Sequence, residues 1–266
     1  MYTLFHAFLV CHIVTGTVAL ISFWVPVVGL KGAQAHRKWG RVFVMSLLAT
    51  GASGLGMSIC SIVAPFETHP HIKDYHVIVG LLGWMMVYLA TLTITLAWNG
   101  YVTARNRLQH IKNRTFLNIG LNIATLVTAT ITVAYGIAIR EPLMMGISLI
   151  GFAAGITNLI FIFKDQPSRT AYVEQHLKTS VGAGSAVYTA FISVGLVRWV
   201  PHEAFNPLIW GMPVVVGVAM MLFHIRRIQS GWQWQEQLKS PAHSSNSPDP
   251  QRRNTSSGMD VAATKR

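Results

Sequence analysis

Residues 31–41 read KGAQAHRKWGR. Four fixed positive charges, Lys31, Arg37, Lys38 and Arg41, stand there beside His36, with apolar runs of more than twenty residues on each side. A charged break between two membrane-length runs sets the direction of both helices, because cytoplasmic loops hold the excess of Lys and Arg. The side on which every later loop falls follows from that first choice.

Composition agrees with a membrane reading. Of 266 residues, 52% are hydrophobic and 11% charged, and the mean hydropathy is +0.43. A soluble domain carries about 25% charged residues, so charge has been removed from long segments. The net charge of +12 lies in short loops and a tail between apolar runs. No basic patch interleaved with aromatics offers a nucleic-acid surface, and the lipid bilayer is the expected partner.

A helical span needs about 20 apolar residues. Working outward from the hinge, seven segments qualify: 4–30, 42–64, 75–98, 116–139, 143–163, 179–200 and 207–223. Eighteen of the 21 Lys and Arg residues fall on the hinge side of the alternation. Only Lys73, Arg140 and Arg198 fall on the other. The expected fold is therefore all-α, a polytopic transmembrane bundle of seven spans with its amino end outside and its carboxyl end cytoplasmic. The first apolar run lacks a basic leader and a small-residue cleavage site and reads as a retained span. The bundle is expected over residues 1–228. From 229 to 266 Ser, Pro, Asn and charge dominate, as in a disordered basic tail. Trp232 and Trp234 read as interface anchors.

Polar stripes should face other helices, since hydrocarbon cannot satisfy them. One is Asn118, Asn122, Thr125 and Thr132; another is Tyr88, Thr91 and Thr95. Gly51, Gly54 and Gly56, and the pair Gly151 and Gly155, mark close backbone approach. Cys11 and Cys60 are isolated and read as small buried hydrophobes.

Eleven histidines carry most of the chemistry available. His12 lies within the first span, and an ionisable group at membrane depth is a functional candidate. Its bland alternative is a neutral imidazole bonded to a neighbouring helix. His36 and His176 stand on the hinge side and could face each other or headgroups. His69, His71 and His76 share the loop PFETHPHIKDYH with Glu67 and Asp74. Imidazoles and carboxylates suit a transition metal, but the spacing of His69 and His71 matches no closed zinc site. No HExxH, GxSxG, phosphate-binding loop or dinucleotide fingerprint is present.

The His12-Ile13, Gly16, Ala19-Leu20 helix, followed by Lys31-Gly32, His36-Arg37 and Gly40-Arg41-Val42-Phe43, resembles a bacterial family of multi-pass membrane proteins of unknown function. Asp165 before His176-Leu177, and Pro213 in the last span, are similar too, whereas Lys178-Thr179-Ser180 departs from the pattern. The resemblance implies a bacterial inner-membrane protein and directs attention to His12, Lys31, His36, Gly40, Asp165 and His176. The leading functional expectation is a membrane redox protein holding b-type haem or a metal through His12 with His76, and His36 with His176 or His224. The alternatives are a small-solute or proton-linked transporter, and a sensor or scaffold without enzymatic activity. A zinc hydrolase would want a His-xxx-His pair and a buried acid, and neither is present.

Overall fold

The computed structural model describes residues 1–168, 170–197 and 206–239. Among them are seven long helices: α1 Tyr2–Val28, α2 Gln34–Val63, α3 Val77–Asn106, α4 Phe116–Ile139, α5 Pro142–Phe163, α6 Ala171–Val197 and α7 Pro207–Lys239. The first part of α3, Val77–Met85, is π-helical. A short helix, Pro65–Thr68, and a 3-10 turn, His110–Asn113, are the other helical pieces. No strand occurs among the described residues.

Among the described residues six helices are long and apolar enough to cross a membrane. The exception is α6. Its length suffices, but its amino-terminal half carries Glu174, His176 and Lys178, and the expected span 179–200 runs past the described Val197. The last helix also differs from expectation, because it continues through 229 to Lys239. Gln, Trp, Glu and Leu are compatible with helix, and the first proline of the polar region is Pro241. Residues 240–266 of the expected tail lie outside the described residues.

The chain falls into two units, Met1–Ile225 and Arg226–Arg266. Within the first, α1 packs along α2 and α4 along α5, two hairpins of consecutive helices. Between them α3 touches α2, α4 and α6, and it is the most buried of the six apolar helices. Its polar positions meet those of α4: Thr95 and Thr125 share a hydroxyl bond of 2.8 Å, and both are fully buried. The Tyr88 hydroxyl donates to the Ile147 carbonyl of α5 at 2.7 Å, and Gly151 leaves the space that its ring fills. A chain of amides runs on from there. Gln175 donates to Asn158 at 2.7 Å, Asn158 to Asn122 at 3.0 Å, and Asn122 to the Asn118 carbonyl at 2.7 Å. It ties α6, α5 and α4 together inside an apolar core.

Candidate functional site

The hinge is built by its own charged residues. The last carbonyls of α1 have no partner within the helix. Lys31 donates Nζ to the Pro26 carbonyl at 2.8 Å and also to that of Val27. Gly32 takes φ +77°, a left-handed turn that favours glycine. Arg37 donates to the Gly32 carbonyl at 2.6 Å. His36, in the first turn of α2, reaches back to the Pro26 carbonyl through Nδ1 at 3.2 Å. Partial burial lowers the Lys31 pKa from its ordinary value.

His176 stands in the opening turns of α6. Its Nδ1 lies 2.9 Å from the Gly100 carbonyl of α3, with Ser180 Oγ 3.4 Å away. The structure brings His36 and His176 together, with ring centroids 6.4 Å apart and planes inclined at 70°. A carbonyl oxygen can only accept, so Nδ1 carries a proton in both rings, and in the neutral form of each ring Nε2 holds a free lone pair. No hydrogen bond to either Nε2 occurs among the described residues. This is the support a ligating histidine has, with one nitrogen tied to the backbone and the other available. A ligating imidazole nitrogen sits about 2.0–2.1 Å from its metal, so two imidazoles opposed across one ion hold their centroids about 6–6.5 Å apart. The observed spacing fits that arrangement.

His12 is held in the same way. Its Nδ1 donates to the Thr50 carbonyl of α2 at 2.9 Å. The Thr50 hydroxyl in turn lies 2.9 Å from that of Thr15. Gly54 lets the ring lie against α2, since a Cβ there would stand 3.4 Å from it. His12 also lines a cavity of about 730 Å³ between α1, α2, α3, α5, α6 and α7.

The remaining histidines go elsewhere. His69 Nε2 lies 3.0 Å from the Ser61 hydroxyl, which itself donates to the Met57 carbonyl; the ring stacks edgewise on Phe5 and lines the same cavity. Burial lowers its pKa from the ordinary 6.5. His76 turns to other partners: its Nδ1 lies 3.2 Å from the Tyr135 hydroxyl, and Asp74 accepts its backbone N–H at 2.8 Å. No contact joins His76 to His12. His71 is exposed. His224 touches Phe223, not His36. No group of three His, Cys, Asp or Glu residues placed to hold a metal occurs among the described residues.

Of the family-like positions, Asp165 is exposed and pairs with Arg114 at 3.0 Å. Arg114 also bonds the carbonyls of Ile162, Phe163 and Lys164, closing the end of α5. A Cβ at Gly40 would meet nothing within 4 Å, so packing within the described chain does not require glycine there. Two groups escaped sequence reasoning. Asn158 and Gln175 extend the polar chain of α4 to the cavity wall. A lone amide in the apolar run of α5 was the available signal. His110 is buried against Phe161, and its Nε2 has no hydrogen-bond partner among the described residues. Nothing in its loop sequence distinguishes it from a surface histidine.

Compared with protein-family models, with curated proteins and with solved structures, the chain matches none.

Proposed function

We propose that the chain is a seven-span protein of the bacterial inner membrane, related to the multi-pass family that its hinge motif resembles. Its amino end lies outside and its carboxyl end in the cytoplasm. In this reading it holds a metal-centred prosthetic group, b-type haem, between His36 and His176, in a redox role. The observation that carries the reading is the neighbouring pair of imidazoles, with centroids 6.4 Å apart, each with Nδ1–H tied to a carbonyl and no hydrogen bond to Nε2 among the described residues. His36 and His176 would hold the group through Nε2, and the bound group would supply one-electron redox chemistry. The protein's part is to fix the ligands: the α1 carboxyl end orients His36, and α3 orients His176. The pair lies at the hinge end, where four positive charges from 31 to 41 favour the cytoplasmic face.

The transport alternative has less support. The stripes of α3 and α4 are sealed against each other by the Thr95–Thr125 bond and full burial. A permeation path along them would have to break that contact.

The test is haem and metal content after purification from cells supplied with haem. The reading expects about one haem per chain, lost in His36→Ala and in His176→Ala and retained in His76→Ala. Wild-type protein that is folded and carries neither haem nor a transition metal contradicts it.

A further inference from the structure

The cavity beside His12 is separate from the His36–His176 pair, and neither of those residues lines it. Its volume of about 730 Å³ lies in the range of small-molecule sites, which run from about 300 to 1,000 Å³. Its wall is mostly hydrocarbon, with Leu9, Leu20, Met86, Leu89 and Val187 among its residues. Two polar groups on that wall lack partners. The Thr50 bond consumes the only proton of a neutral His12, so Nε2 is left as a pure acceptor. No hydrogen bond to it occurs among the described residues. Thr189 of α6 is 4% exposed, and its hydroxyl has no hydrogen-bond partner among the described residues.

Those groups specify a ligand. A bare acceptor nitrogen at membrane depth calls for a hydroxyl or N–H donor, because a buried polar group without a partner is costly. The wall calls for a molecule that is otherwise apolar. An anionic phospholipid head would need several cations, and Lys178 is the sole Lys or Arg among the lining residues. A bare water or ion would need two to four polar partners converging on it. We infer that the cavity binds a membrane-dissolved prenylated quinol, with a ring hydroxyl donating to His12 Nε2 and the tail along the apolar wall. The chemistry discriminates between oxidation states. The quinol can donate to a bare nitrogen, whereas the quinone offers only acceptor carbonyls.

Equilibrium dialysis of the full-length protein in detergent, against a short-chain ubiquinol and the matching ubiquinone, tests this. The expected result is saturable binding with the quinol held about fivefold tighter than the quinone, the worth of one net hydrogen bond. His12→Leu should erase that preference while both forms still bind. Ala186→Phe fills the cavity from another wall and should abolish binding of both forms, with the helical circular dichroism spectrum unchanged. Absence of saturable binding overturns the inference, as does equal affinity for the two forms in the wild type. A preference that survives His12→Leu, or bound phospholipid that the quinol does not displace, overturns it as well. Each of these results is independent of whether His36 and His176 hold haem.

Discussion

Replacing Asn122 by leucine keeps the number and branching of the side chain's heavy atoms and removes the centre of the polar chain. Asn122 is fully buried. Its Oδ1 accepts from Asn158 Nδ2 at 3.0 Å and from Asn99 Nδ2 at 3.4 Å. Its Nδ2 donates to the Asn118 carbonyl, which also has the helix ladder. In the variant Asn99 keeps its bond to the Thr95 carbonyl at 2.9 Å, so it stays satisfied. Asn158 Nδ2 loses its acceptor and is left in an apolar core. An orphaned buried donor costs about 1–3 kcal/mol, whereas an interhelical bond within a membrane contributes about 0.6 kcal/mol on average. The expected loss is therefore about 2 kcal/mol, dominated by the orphaned amide rather than by the bond itself. The assay is equilibrium unfolding in mixed micelles of mild detergent and dodecyl sulfate, followed by tryptophan fluorescence. Thr130→Val serves as control, since Thr130 is exposed and bonds only to the Leu126 carbonyl of its own helix. An Asn122→Leu variant as stable as that control would refute the claim that the amide chain ties α4 to α5 and α6.

Two further perturbations test other parts of the structure. A side chain at Gly151 would overlap the Tyr88 ring, with the hydroxyl oxygen 2.8 Å from the new Cβ. Tyr88 is fully buried and bonded to Ile147, so it cannot yield. Gly151→Val should lower stability by about 1–3 kcal/mol. Gly120→Ala meets nothing within 4 Å and should raise it by about 0.5–1 kcal/mol in the same unfolding assay. His69 gives a pH signature. Its folded pKa lies below 6.5, so near that pH the unfolded chain binds more protons, and stability rises with pH. The contribution is complete above about pH 6.5 and is lost as pH falls toward the folded pKa. The wild type should therefore lose more stability on acidification than His69→Gln, and equal slopes would contradict the burial argument.

The all-helical architecture with its membrane-length apolar helices was legible because its signals are local. Apolar length follows directly from the order of residues, and the polar stripes of α3 and α4 meet as their helical spacing implies. Gly51, Gly54 and Gly56 each lie against a side chain of another helix, as small residues in a span should. The limits came from the same source. Polar residues in the first turns of α6 lower its apolarity, and the helical propensity of 229–239 competes with their polarity. Contacts across the bundle were not readable. The sequence placed His36 and His176 at one end but could not show that Pro26 and Gly100 take their Nδ1 protons. Nor could it show that His76 turns to Tyr135 rather than to His12. Much of the hinge motif has a purely structural use, since Lys31, Gly32 and Arg37 close the end of α1. His36 stands apart, because its ring continues beyond the hinge to His176.

The most direct measurement of the central claim is the reduced-minus-oxidised absorption spectrum of the purified protein, taken for the wild type and for His36→Ala and His176→Ala. The account predicts sharp α and β bands of a six-coordinate b-type haem in the wild type, and their loss or conversion to a five-coordinate form in each variant. A folded wild-type protein with no haem or metal bands, or bands unaffected by either substitution, would show that His36 and His176 do not converge on one prosthetic group.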